Sequence, residues 1–86
     1  MEDTRNKIQD AFNNHFDDFL KIKAADENLR RFQITSISRR EIIESGNTLI
    51  NSIDAELQNS TLHYNEEQKK HLRIIQEKTR IIINAY

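Results

Sequence analysis

The scarcity of chain-breaking residues constrains this sequence most strongly, because its 86 residues include one glycine, Gly46, and no proline. A β-sandwich or β-barrel needs turn residues about every 8–12 positions, and this chain does not supply them. Apolar residues instead recur at steps of three and four over most of the chain, which is the period of an α-helix. The length fits one small domain. The sequence therefore predicts a single all-α domain.

The apolar pattern divides the chain into three helical segments. The first covers about residues 3–25, the second about 38–59 and the third about 65–85. A linker is expected at about residues 26–37, because Asp26 and Asn28 offer helix breaks and residues 33–37 are rich in β-branched and hydroxyl side chains. Ser38 followed by Glu41 has the spacing of a capping box, and Asn65 followed by Gln68 forms a weaker one.

Charge favours a fold-back between the second and third segments. Residues 44–67 carry five acids and no base, whereas residues 68–86 carry five bases and one acid. A reversal near residue 62 places Glu44 beside Arg80, and the same register places Asp54 beside Lys70. One continuous helix from residue 38 onward is the alternative, since no proline interrupts it. We therefore predict a long antiparallel helical hairpin, coiled-coil-like in its pattern, with an N-terminal third helix.

The apolar stripe is wider than a two-helix seam requires. Pairs and triplets of isoleucine leave side chains outside the seam, so something must cover them. In the first segment, three phenylalanines have the i, i+4, i+7 spacing of helices that insert into grooves; the same spacing also lets a third helix reach a bundle core. These side chains are the candidate partner-binding residues: Ile43, Ile74, Ile81, Ile83, Phe12, Phe16 and Phe19.

No residue pattern indicates catalysis, a cofactor or a metal site. The single glycine excludes a glycine-rich phosphate loop, and no serine lies in a nucleophile elbow. His63, Glu67 and His71 would share one face only on a continuous helix, and the hairpin places His63 in the turn. His15 has no set of acids at ligand spacing. We therefore expect a non-enzymatic protein without cofactor or metal, and histidines that lie on the surface.

Four arginines flank residues 33–37, the β-branched part of the expected linker: Arg30, Arg31, Arg39 and Arg40. They are either partners of the acidic first segment or a contact site for an acidic partner, because arginine recognises carboxylate and phosphate groups well. A small dimeric nucleic-acid-binding regulator using these arginines is the alternative function. The net charge of −1 argues against a general nucleic-acid binder.

The expected function is protein–protein interaction. An adaptor, a small chaperone, an inhibitor or a host-directed effector would bind partner helices through such an amphipathic face, as a homo-oligomer or a hetero-complex. No segment approaches the roughly 18 apolar residues of a membrane span, and the acidic start at Met1 does not resemble a secretory signal. A soluble protein is expected, either cytoplasmic or a secreted mature chain.

Overall fold

The computed structural model describes residues 2–59 and 64–86, and these form three helices. Helix α1 spans Glu2–Phe32, α2 spans Ser36–Gln58 and α3 spans Glu66–Asn84. The described residues contain no strand, so the all-α prediction is confirmed. The three helices pack side by side into an elongated bundle of 48 × 19 × 19 Å.

Contacts between the helices define an up-down-up arrangement. Gln76 of α3 contacts Ile50 of α2, and Ile83 approaches Gly46; residue numbers rise on one helix as they fall on the other, so α2 and α3 are antiparallel. The hairpin is therefore confirmed, and the continuous helix is wrong. Between α1 and α3 the numbers rise together, from Phe12 with His71 to Asp26 with Tyr86. Helices α1 and α3 are accordingly parallel.

The predicted linker over residues 26–37 is wrong for most of its length. Helix α1 continues to Phe32, and α2 already begins at Ser36. Asp26 is part of the helix and not a break, because its carboxylate is held by Arg30 one turn later. Leu29 is buried in the core and extends the apolar stripe of α1. Only residues 33–35 connect the helices, with Gln33 in the left-handed conformation (φ 51°) that ends many helices.

The two predicted capping boxes have opposite outcomes. Asn65 and Gln68 form theirs in full: the Asn65 side chain accepts from the Gln68 N–H at 2.8 Å, and the Gln68 side chain accepts from the Asn65 N–H at 3.1 Å. Ser38 does not cap α2, because the helix begins two residues earlier, with Thr35 as N-cap and no side-chain cap bond. The Ser38 N–H is satisfied by the Thr35 carbonyl.

The core follows a seven-residue repeat on each helix, but polar residues occupy part of that repeat. On α1 the repeat from Ile8 passes through a buried histidine, His15, and continues with two apolar residues, Ile22 and Leu29. The centre of the bundle is apolar, with Ile53 and Leu72 fully buried. Buried polar residues at core positions must find partners, and these partners fix how the helices align.

Neither of the two cross-helix ion pairs predicted for the hairpin is formed among the described residues, although the contacts of Gly46 with Thr79 and of Ile50 with Gln76 lie close to the predicted register. Glu44 lies near Arg40 on its own helix, and Arg80 lies near Glu77, also on its own helix. Such exposed pairs contribute only about 0.5 kcal/mol, too little to choose a register. Asp54 accepts a hydrogen bond from Gln76 rather than pairing with Lys70. The Gln76 amide also donates to the Ile50 carbonyl at 2.9 Å in the buried interface, so this residue sets the alignment of α2 and α3.

Candidate interaction surface

An open groove runs along the bundle between α1 and α3. It consists of two adjoining depressions of about 590 Å³ and about 330 Å³, which share Phe19 and Lys78. Phe12, Phe16 and Ile74 line the larger depression, and Ile81 lines the smaller one. We call this surface the α1–α3 groove.

Large apolar side chains remain exposed along the α1–α3 groove. Phe16 is 45% exposed, Ile74 41% and Ile81 62%. Phe12 is half-buried and meets the His71 ring edge-on, with 6.1 Å between ring centroids. Phe19, by contrast, is buried in the core and forms the floor of the groove. The groove therefore combines a fixed apolar floor with apolar walls that water still reaches.

A first polar cluster joins α1 to the far end of the hairpin. The Tyr64 hydroxyl donates to Glu56 Oε2 at 2.6 Å, and His15 Nε2 lies 2.8 Å from the same oxygen. Neither His15 nitrogen is aligned for a hydrogen bond to a described residue, so the approach of Nε2 is a close polar contact and not an in-line N–H···O bond. Burial raises the pKa of the Tyr64 phenol, and the bond to Glu56 adds to this.

A second polar cluster joins α1 to the end of α3. The Asp26 carboxylate accepts hydrogen bonds from the Tyr86 hydroxyl and, at 3.1 Å, from Arg30 Nε. The Arg30 guanidinium also lies 6.0 Å from the centre of the Tyr86 ring, a cation–π distance. Burial and the bond to Asp26 raise the pKa of Tyr86, while the contact with Asp26 raises the pKa of Arg30. The two clusters thus connect α1 to the other helices at two places, one at His15 and one at Asp26.

The interface between α2 and α3 is closed by contrast. At Gly46 the two helices approach so closely that an added Cβ would lie 2.6 Å from Ile83 Cδ1 and 3.2 Å from Thr79 Cγ2. Thr79 is fully buried, and its hydroxyl donates to the Ile75 carbonyl at 2.7 Å. Small side chains permit this approach, which leaves little apolar surface uncovered.

Another groove lies between α1 and α2, with a volume of about 510 Å³. Its apolar floor consists of core residues that are already buried, such as Ile22 and Leu49. Hydroxyl side chains line it along α2, at Ser38, Ser45, Thr48 and Ser52. A groove with this hydroxyl lining presents less exposed apolar surface to a partner than the α1–α3 groove does.

The structure divides the candidate partner-binding residues into two groups. Five lie along the α1–α3 groove: Phe12, Phe16, Phe19, Ile74 and Ile81. Ile83 instead packs toward α2 at Gly46, and Ile43 is half-buried on α2. Ile43 and Ile83 therefore do not share a surface with the other five. Ile81 and Ile83 belong to one run of three isoleucines, but Ile81 lines the groove whereas Ile83 packs against α2.

Sequence reasoning missed the polar clusters. The expectation that the histidines are surface residues is wrong for His15, which is buried. A signal was present: His15 lies seven residues after Ile8, and Asp26 lies seven after Phe19, so both continue the apolar repeat. A polar residue at a core position of a repeat predicts a buried polar partner elsewhere.

The remaining candidate residues are placed as follows. His63 lies outside the described residues, and within residues 2–59 and 64–86 no three acidic or histidine side chains are grouped to hold a metal ion. Arg31 and Arg39 are exposed, while Arg40 reaches Glu44 only at 4.0 Å. The four arginines thus gather around the short connection between α1 and α2.

Comparison with known proteins returns no match: no family model, no curated protein and no solved structure is significantly similar to this chain. In the described part of the chain, none of the helices combines the length and the apolar character that crossing a membrane requires.

Proposed function

We propose that this protein is a protein-interaction module that binds an apolar helix along the α1–α3 groove. The observation that carries the proposal is the exposure of Phe16, Ile74 and Ile81 along one groove of a bundle that buries most of its other large side chains. Full burial of such a side chain contributes about 1.5–3 kcal/mol. Covering these three contributes on the order of 3 kcal/mol, which is a useful part of a binding energy.

The shape of the groove suits a helix as the ligand. Helices α1 and α3 are parallel, and the exposed residues follow the groove along the bundle axis. A fourth helix can lie between them and insert its own apolar side chains in a coiled-coil-like manner. The rim carries both signs of charge, with Lys23 and Lys78 beside Glu27 and Glu67, so a partner helix with mixed charge beside its apolar stripe fits best.

The partner helix comes from a second copy of the chain or from another protein. A second copy would bring an identical apolar strip, and two such strips can cover each other across a two-fold axis. Helix-in-groove binding is a general mode of recognition, so an adaptor, a small chaperone, an inhibitor or an effector could each use this groove.

Replacement of Ile74 and Ile81 tests the proposal. The double variant Ile74→Ser/Ile81→Ser keeps the buried core intact, so it should remain helical by circular dichroism. Its self-association, measured by sedimentation velocity over a range of concentrations, should be lost. Proteins that co-purify with the tagged chain should also be lost, as identified by mass spectrometry. Both losses are expected because the two serines remove the apolar surface that a bound helix would cover.

A matched control uses Ile37→Ser, because Ile37 is 70% exposed but lies at the start of α2, away from the groove. This control should retain the self-association and the protein partners of the unmodified chain. The proposal is wrong if the double variant remains helical and keeps all self-association and all partners. It is also wrong if Ile37→Ser and the double variant weaken association equally.

A further inference from the structure

The connection between α1 and α2 forms a tip at one end of the bundle with an unusual composition. Residues 30–40 contain four arginines and no acidic residue. They also contain the two most exposed large apolar side chains in the described part of the chain, Phe32 at 65% and Ile37 at 70%. Ile34, between them, is exposed as well. We call residues 30–40 the arginine tip.

The described chain leaves Phe32 and Ile37 largely uncovered. Phe32 ends α1, Ile37 lies in the first turn of α2, and only residues 33–35 separate the two helices. Exposing such side chains together is unfavourable in water, because each loses most of its burial energy. Phe32 and Ile37 lie at the reversal between the two helices, which is at one end of the bundle.

Most arginines of the tip are not closely paired with a carboxylate of the described chain, so their charge is available to a ligand. Arg31 and Arg39 have no carboxylate within 4 Å among the described residues, and the Arg40–Glu44 pair is long and well exposed. Arg30 is the exception, because Asp26 holds its Nε at 3.1 Å. The segment that follows, residues 44–67, carries five acids and no base. The basic tip thus contrasts with an acidic stretch elsewhere, and this polarity would orient the bundle on an anionic surface.

We propose that the arginine tip docks on an anionic lipid membrane, with Phe32 and Ile37 entering the headgroup region while Arg31 and Arg39 bind lipid phosphates. Basic residues attract anionic lipids, and neighbouring apolar side chains add burial at the boundary with the acyl chains. A nucleic acid matches the arginines equally well but not the apolar residues. Single-stranded nucleic acid is held by aromatic stacking, and Phe32 is the only aromatic residue of the tip, since Ile34 and Ile37 offer no ring.

Co-sedimentation of the full chain with vesicles tests the docking. Vesicles of phosphatidylcholine mixed with phosphatidylglycerol should bind the chain at low ionic strength, and vesicles of phosphatidylcholine alone should bind it weakly. Each basic residue near an anionic surface contributes about fivefold to binding. The variant Arg31→Gln/Arg39→Gln should therefore bind about 25-fold more weakly. The variant Phe32→Ser/Ile37→Ser should lose on the order of tenfold.

Insertion has a direct spectroscopic readout, because the chain contains no tryptophan. The variant Phe32→Trp introduces a single one, whose emission should shift to shorter wavelength on mixed vesicles and be quenched by brominated lipid. A tryptophan at Ile81, in the variant Ile81→Trp, is the matched control, since Ile81 is equally well exposed at 62% but lies in the α1–α3 groove. Its emission should not change with vesicles.

Several results would overturn the proposal. The chain does not bind mixed vesicles, or the arginine variant binds them as well as the parent. Alternatively, the arginine variant loses binding while Phe32→Ser/Ile37→Ser keeps it, and the Phe32→Trp emission stays unchanged; the tip is then only an electrostatic patch. If a mobility shift shows that single-stranded DNA binds more tightly than mixed vesicles and depends on the same arginines, the ligand is a nucleic acid and not a membrane.

Discussion

The two sides of α3 differ in how they are covered. On the α2 side, small residues let the helices touch, and Gln76 and Thr79 satisfy their polar atoms inside the interface. On the α1 side, Ile74 and Ile81 face a groove that α1 does not fill. In this bundle, therefore, α3 packs closely against α2 but leaves an open groove toward α1.

Helix α1 is attached to the hairpin by polar contacts at His15 and Asp26 as well as by its apolar stripe. The hydrogen bond from Tyr86 to Asp26 is directional and so helps to specify how α1 aligns with α3. The close approach of His15 to Glu56 is not an in-line hydrogen bond. Phe16 stays 45% exposed beside these contacts.

The largest expected difference is in the free energy of unfolding lost when a core residue or a groove residue is truncated. Leu72→Ala removes a fully buried side chain and should lower the free energy of unfolding by about 2–5 kcal/mol, since it leaves a cavity. Ile81→Ala removes a similar side chain from the exposed groove and should change it by no more than about 0.5 kcal/mol. Chemical denaturation of both variants measures this. Equal losses would show that Ile81 is covered within the chain.

Alkaline pH should lower the free energy of unfolding. The pKa of Tyr64 is raised above its ordinary value of 10.0 in the folded chain, so above pH 10 the unfolded chain loses the phenol proton while the folded chain keeps it. Stability is therefore complete below pH 10 and should fall by up to about 1.4 kcal/mol per pH unit above it.

The variant Tyr64→Phe has no proton to lose at this position, so its unfolding free energy should fall less between pH 9 and pH 11 than that of the parent chain. Tyr86→Phe is the comparison, because the pKa of Tyr86 is also raised, by burial and by Asp26. If Tyr64→Phe leaves the alkaline slope unchanged, the Tyr64–Glu56 contact does not hold the folded phenol in its neutral form.

The smallest effect concerns the closed seam at Gly46. Alanine improves helix propensity by up to about 1 kcal/mol, but its Cβ would meet Ile83 at 2.6 Å. Overpacking costs about 1–3 kcal/mol, so Gly46→Ala should destabilise the chain by about 1 kcal/mol. In the Ile83→Ala background the same change should instead be neutral or stabilising. Denaturation of the four proteins gives the coupling energy, and additive effects would argue against the close approach.

The sequence predicted the parts of this fold that depend on apolar periodicity. The division into three helices and the Asn65 cap follow from local spacing, whereas the fold-back between α2 and α3 was predicted from the distribution of charge. The extent of α1 did not follow, because Asp26 has a low helix propensity and its partner Tyr86 is 60 residues away. The buried position of Gln76 did not follow either, because the sequence alone does not distinguish this residue from a surface glutamine that lacks its partners at Ile50 and Asp54.

The same limit explains the candidate site. Spacing identified the apolar residues in excess of one seam, but whether two of them share a surface depends on how the helices rotate. Ile81 and Ile83 are separated by two positions, and on a helix this separates their directions by about 200°. One therefore faces the groove and the other faces α2 at Gly46.

Site-specific photo-crosslinking tests directly whether a partner occupies the α1–α3 groove. The chain has no cysteine, so a single introduced cysteine can be labelled specifically. Lys78→Cys places a benzophenone label in the α1–α3 groove, and Thr48→Cys places it in the hydroxyl-lined groove between α1 and α2. We expect adducts, to a second copy or to a co-purified protein, from position 78 and few from position 48. Adducts from position 48 alone, or from neither position in a chain that still associates, would contradict it.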